Sequence, residues 1–160
     1  MEIRKYQSID CNEIIELFYN TVHTINARDY SQAQLNVWAT SSVDSVKWNQ
    51  SLSDNFTVVA VETGVVVGFG DINNTGYIDR LFVHKDYQRM GIASAILSAL
   101  EKYAVENDML LLSTHASITA KAFFAAKGYW VVREQKIKRE DQVLTNFVME
   151  KHLQSSAAFF

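Results

Sequence analysis

The chain has 160 residues, a formal net charge of -3, 48% hydrophobic and 21% charged residues, and no proline. That length suits one domain with a real core, and no second domain is expected. The mild charge argues against a nucleic-acid partner, which calls for a basic stripe, and the lone Cys11 excludes an intramolecular disulfide or a cysteine-rich zinc site and fits a reducing cytoplasm.

Taken in chain order, Ile3 to Tyr6 is expected as a first strand. Asp10 precedes Glu13 at capping-box spacing, and Ile14, Ile15, Leu17, Phe18 and Val22 follow at helical spacing. The first helix is therefore expected from Cys11 to Thr24. Ser31 and Gln34 repeat the capping pattern before a short helix that ends near Ala39, and Val43 to Leu52 reads as a further helical turn or two with Trp48 inward. Phe56 to Glu62, Val65 to Asn73 and Tyr77 to Val83 read as strands joined by glycine-containing turns, hence antiparallel.

From Ile92 the period changes. Ile92, Ala93, Ile96, Leu97, Leu100, Tyr103 and Ala104 mark one face of a helix that opens at Gly91 and closes at Asn107-Asp108. Met109 to Thr114 is a short apolar strand, so strand, crossover helix and strand imply a parallel pair. Ile118 to Lys127 reads as the next helix, with Gly128 placed for a left-handed cap. Tyr129 to Lys138 and Thr145 to His152 read as a final hairpin around a solvated turn, Lys138 to Gln142. The expected fold is α/β of the α+β kind: a single mixed, mostly antiparallel sheet with one parallel pair and flanking helices, over residues 1–153. Residues 154–160 carry no structural signal, and Phe159 and Phe160 fit either a disordered end or a docking segment. No window is long and apolar enough to span a membrane, and the N-terminus lacks an apolar signal core. A cytoplasmic protein with no membrane partner is expected.

The segment Gln88-Arg89-Met90-Gly91-Ile92-Ala93 carries the most information. It joins a strand to a helix start, where main-chain N–H groups lack upstream carbonyls and the aligned peptide dipoles add positive charge. A glycine there lets a phosphate approach without meeting a side chain, and Gln88 and Arg89 add side-chain donors. Glycine also opens helices for packing alone, and both readings stand at this point. No G-x-x-x-x-G-K-[ST] or G-x-G-x-x-G motif is present, which argues against a nucleotide triphosphatase loop and a dinucleotide fold.

The order of elements and the Q-x-x-G-x-A motif (Gln88, Gly91, Ala93) resemble the GNAT superfamily of acetyl-CoA-dependent N-acetyltransferases, whose signature is [RQ]-x-x-G-x-[GA]. The resemblance runs from about Ile3 to His152. The segment Ser117-Ile118-Thr119-Ala120, continuing to Phe123-Phe124 and Gly128-Tyr129, is similar to a second family pattern, N-x-x-A-x-x-x-Y-x-x-x-G-[FY]. The stretch from Tyr30-Ser31 to Trp38-Ala39 resembles a bacterial subset with poorly defined acceptors.

The resemblance implies acetyl-CoA as co-substrate, no metal, an amine acceptor, and a homodimer as a compatible state. It implies that strands four and five splay, so that a pantetheine arm pairs with Leu81, Phe82 and Val83 like an added strand. The pyrophosphate would rest on main-chain groups from Arg89 through Met90, Gly91, Ile92 and Ala93 to Ser94. Ser117 would contact the pantetheine or cap a helix, or both. The amine needs a base, and the thioester carbonyl needs a donor such as a strand-four N–H near Val83.

Asp79, four residues before Val83, matches a family glutamate position and is the first base candidate; pairing with Arg80 is the other reading. Period-two alternation puts Asp79, Leu81 and Val83 on one face and Ile78, Arg80 and Phe82 on the other. His115 is the second base candidate, just after the fifth strand. Phe124 stands where many members carry the tyrosine that protonates the leaving thiolate, and it has no hydroxyl. Tyr129 is the neighbouring aromatic, placed to act or to pack. Tyr30, Trp38 and Trp48 either wall an acceptor pocket or fill the core. The rival to an enzyme is a non-catalytic acyl-CoA-binding sensor or interaction module on the same fold.

Overall fold

A computed structural model describes residues 1–155. Most of the expected tail lies outside the described residues. The elements are strands β1 (Glu2–Lys5), β2 (Phe56–Glu62), β3 (Val65–Ile72), β4 (Tyr77–Val83), β5 (Leu111–Ser117), β6 (Trp130–Arg139) and β7 (Gln142–His152), and helices α1 (Cys11–Thr24), α2 (Gln32–Trp38), α3 (Ser45–Asp54), α4 (Ile92–Glu106) and α5 (Lys121–Ala126). The strands form one sheet in the order β1-β2-β3-β4-β5-β7-β6. Every neighbouring pair is antiparallel except β4 and β5. No helix among the described residues is long and apolar enough to cross a membrane.

Two apolar layers hold the sheet between helices. On one face Ile96, Leu97 and Leu100 of α4 pack with Ile72, Ile78 and Leu112. On the other, Ile14, Leu17, Phe18 and Val22 of α1 pack with Val59, Val66 and Phe69. Each such buried side chain contributes about 1.5–3 kcal/mol of transfer free energy. Gly68 and Gly70 let α4 lie close on β3: a Cβ at Gly70 would stand 2.7 Å from Ile96 Cγ2 and 3.1 Å from Arg80 O. That packing role accounts for the Gly68-Phe69-Gly70 run inside a strand.

Several boundaries differ from expectation. Asp10 does not cap α1: its carboxylate accepts from the Gln7 N–H at 2.8 Å and pairs with Arg4 at 2.9 Å. Glu13 instead accepts from the Val66 N–H. A nearby guanidinium and a strand N–H outcompeted the local cap. The Ser31–Gln34 capping box is present. β5 starts later than expected and runs on to Ser117, because β7 pairs with it over its whole length. His115 therefore lies within the strand, and α5 is correspondingly short. β7 begins at Gln142, leaving only Glu140 and Asp141 between the hairpin strands.

The main correction concerns β4. Asp71 pairs with Arg80, but Ile72 pairs with Ile78, so Asp79 is an extra residue in a β-bulge. The bulge breaks period-two alternation. Ile78 joins Leu81 and Val83 in the α4 layer, whereas Phe82 packs in the α1 layer.

Candidate active site

α4 opens at Gly91, as the sequence implied. Gly91 has φ +79°, Arg89 has φ +61°, and no side chain caps the helix. The Ala95 N–H donates to Gly91 O, so the N–H groups of Ile92, Ala93 and Ser94 precede the intrahelical ladder. A Cβ on Gly91 would meet nothing within 4 Å. The helix start opens into a cleft of about 590 Å³ lined by Leu81, Val83, Gln88, Arg89, Ala93 and Phe123 among others. A diphosphate fits such a start: main-chain donors, a helix dipole and no intervening side chain.

The remaining cradle residues divide. The Gln88 side chain turns inward, where its Nε2 donates to Val83 O at 2.8 Å and His84 O at 3.3 Å. It braces the loop against β4, and those carbonyls take up its amide donors. Met90 is 66% exposed and lies off the cleft lining.

β4 and β5 pair only at Tyr77–Ser113 and Ile78–Thr114. Beyond that point they part, although β5 continues on β7 and β4 continues on β3. In an antiparallel ladder, alternate residues aim their N–H and C=O at the partner. The His84 N–H donates to Val67 O, so Phe82 also faces β3, and Leu81 and Val83 face the gap. Val83 O already accepts from Thr21 Oγ1 at 3.0 Å and from Gln88. Leu81 N–H, Leu81 C=O and Val83 N–H are left as the main-chain groups directed at the opening. The Phe82 ring points the other way, edge-on to Phe18 at 5.0 Å.

A second cleft, of about 660 Å³, lies on the α1–α3 side and includes Tyr30, Trp38, Trp48, Asp79 and His115. It shares Leu81, Phe82, Ser117, Ala120 and Phe124 with the first. The two clefts thus meet where β4 and β5 separate. Of the three aromatics expected to serve as pocket or core, all line this cleft, and Tyr30 also locks its floor. The Tyr30 hydroxyl donates to Thr145 O at 2.6 Å and accepts from the Ile118 N–H at 2.9 Å. The Ser117 hydroxyl accepts from the Ala120 N–H at 3.0 Å, a turn-capping role at the cleft junction.

Asp79 projects into the second cleft with its side chain 38% exposed, and its Oδ2 lies 3.5 Å from Arg80 Nη2. It is both cleft-facing and ion-paired. His115 lies on the same cleft, its ring edge-on to Tyr77 at 5.1 Å. Burial, helped by the charge of Arg133, lowers the His115 pKa from its ordinary value. Burial, with Asp79 and Asp71 nearby, pushes Tyr77 up to about 12, so it keeps its proton. Phe124 is buried, with its ring against Phe123 and Tyr129. Tyr129 belongs to the core: its hydroxyl donates to Glu101 Oε2 at 2.7 Å, and it lines neither cleft.

Sequence reasoning missed the group behind Asp79. Arg80 Nη1 donates to Asp71 at 2.6 Å and Nη2 to Ser51 Oγ at 2.7 Å, and the guanidinium lies 4.8 Å from the Trp48 ring centroid. Asn55 Nδ2 also donates to Asp71, at 3.0 Å. Asp71 has no exposed surface, and burial pushes it up to about 6 despite the Arg80 charge. A lone carboxylate in the otherwise apolar β3 run was the available signal. Among the described residues, no group of three or more histidine, cysteine, aspartate or glutamate side chains is arranged to hold a metal.

The comparisons agree with this architecture. The family described as an acetyltransferase (GNAT) domain matches residues 26–153. The Escherichia coli K12 protein called uncharacterized N-acetyltransferase YafP is 35% identical over 150 residues, covering 93% of this chain and 94% of its own. A GCN5-related N-acetyltransferase from Rhodopseudomonas palustris superposes with a TM-score of 0.91 at 32% identity, covering 95% of each chain. The PaiA N-acetyltransferase of Thermoplasma acidophilum, solved in complex with coenzyme A, shares the fold with a TM-score of 0.77 at 20% identity, covering 94% of this chain and 98% of its own. By its family match, by a relative of the same length and by its sheet, the chain belongs to the GNAT acetyltransferase family.

Proposed function

We propose that this protein transfers the acetyl group of acetyl-CoA to a primary amine of a small molecule or peptide, by direct attack of the amine on the thioester. The observation that carries this reading is the meeting of two clefts at the β4–β5 separation. One holds the uncapped helix start, and the other holds aromatic walls and the candidate bases. Acetyl-CoA supplies an activated carbonyl and a thiol leaving group.

The chain's own groups then have definite tasks. The N–H groups of Ile92, Ala93 and Ser94 hold a diphosphate. Leu81 and Val83 present main-chain groups to an amide-bearing arm. Leu81 N–H, at the junction of the clefts, is the donor for charge developing on the carbonyl oxygen. Asp79 takes the proton from the incoming ammonium, and His115, held toward its neutral form, is the second acceptor. Phe124 offers no proton to the departing sulfur, and a thiol with a pKa of about 8.5 leaves without one.

A non-catalytic acyl-CoA-binding module is the second reading, favoured by Phe124 and by the engagement of Tyr129 with Glu101. A thiol-release assay with phenethylamine, hexylamine, spermidine and a glycine-first tripeptide separates the two. Release with at least one amine, lost in Asp79→Asn while coenzyme A binding is kept, supports transfer. Binding without release from any of them overturns transfer in favour of the module.

A further inference from the structure

Asp71 and Arg80 are not explained by the transfer reading alone. Asp71 is wholly buried, and its Oδ1 has no hydrogen-bond partner in the structure. A buried, half-satisfied carboxylate is unfavourable and calls for a reason. Its other oxygen grips Arg80 Nη1 at 2.6 Å, Ser51 Oγ holds Nη2 at 2.7 Å, and the guanidinium carbon lies over the Trp48 ring. The same Nη2 faces Asp79 Oδ2 at 3.5 Å. In a regular strand, residues 79 and 80 would point to opposite faces. The bulge at Asp79 is what brings both charges into one cleft.

We propose that Arg80, locked in place by Asp71, is a positioning residue that fixes the Asp79 carboxylate at the mouth of the acceptor cleft. This rests on the reading of Asp79 as the base. The guanidinium is shared by two carboxylates, one buried and one facing the cleft. Asp71 absorbs part of the Arg80 charge, which leaves Asp79 oriented without being fully neutralised as a base. The groups facing this pair are Trp48 and Ser51 of α3, Asn55 before β2, Tyr77 of β4, and Asp44, Lys47, His115 and Arg139, which line the same cleft.

Two substitutions separate the charge from its anchor. Arg80→Gln removes the charge, moving the acidic limb of the kcat–pH profile upward by about half a pH unit or more, with kcat reduced about tenfold and KM for acetyl-CoA changed less than about threefold. The Asp71 carboxyl is itself protonated below about 6, so Asp71→Asn leaves a limb below that pH in place and lowers kcat only above it. Ser51→Ala and Arg80→Lys, milder changes that keep the buried ion pair or its charge, are expected to shift the limb in the Arg80→Gln sense by less.

The profiles are measured with the amine that gives the fastest release among the four named above. An unmoved limb in Arg80→Gln, with or without a lower kcat, overturns the inference even when Asp79→Asn is inactive. Full activity in Asp79→Asn overturns the base assignment and this inference together. No release from any of the four amines overturns the transfer reading and, with it, this inference.

Discussion

Two glycines make a matched pair that isolates ligand binding from backbone strain. Gly91 has φ +79° and Gly64 has φ +78°, and a Cβ at either would meet nothing within 4 Å. Alanine at either position has room but must hold a left-handed conformation, at a cost of about 1 kcal/mol. In a domain of this size that lowers Tm by roughly 2–4 °C, and the same shift is expected for both variants. Only Gly91 stands at the start of α4, in the cleft. Its new methyl group would occupy the space through which a diphosphate reaches the Ile92 and Ala93 N–H groups. A hydrogen bond to a charged group is worth about 1.5–3 kcal/mol. Losing one weakens coenzyme A binding roughly tenfold to a hundredfold. Urea unfolding and isothermal titration with coenzyme A, run on both variants, give the comparison. Equal losses of stability with an affinity loss confined to Gly91→Ala are expected. Equal affinities in the two variants would refute the assignment of the helix start as the diphosphate site.

Stability should also report the buried carboxylate. The folded pKa of Asp71, about 6, lies above the ordinary carboxylate value, so the folded state binds this proton more tightly than the unfolded state. Its contribution therefore rises as pH falls from neutrality through about 6 and levels off below the unfolded value. The wild type should gain about 2 kcal/mol on Asp71→Asn between pH 7.5 and pH 4, measured by urea unfolding across that range. A pH-independent difference would contradict it. Tyr129→Phe removes the hydrogen bond to Glu101, whose carboxylate also pairs with Lys151. A loss of about 1.5 kcal/mol or more is expected, with coenzyme A affinity unchanged. A variant of wild-type stability that fails to bind coenzyme A would instead place Tyr129 in the site.

The sequence disclosed the elements whose signals are local. The limits of α1, β2 and β4 follow from periodicity and turn residues alone, and Gly128 adopts the left-handed conformation that its place implied. What escaped was set by contacts distant in sequence. Glu13 was drawn from its place in the capping pattern to the Val66 N–H, 53 residues on, and β5 was carried on to Ser117 by its pairing with β7, about thirty residues later. The bulge at Asp79 is invisible to a period-two reading, because it is fixed by the register of β4 on β3. That one insertion changed which residues share a face, and it assembled the Asp71–Arg80–Asp79 group from residues that looked unrelated. Gln88 shows the same limit from the other side. Its motif position was plain, but the direction of its amide depended on the Val83 and His84 carbonyls at and just beyond the end of β4.

The most direct measurement is a crystal structure of the protein grown with acetyl-CoA. Diphosphate oxygens within hydrogen-bond distance of the Ile92, Ala93 and Ser94 N–H groups are expected, with the thioester lying between Leu81 and Ser117 and opening toward Asp79. A ligand lodged wholly in the aromatic cleft, or a diphosphate held away from the start of α4, would contradict it.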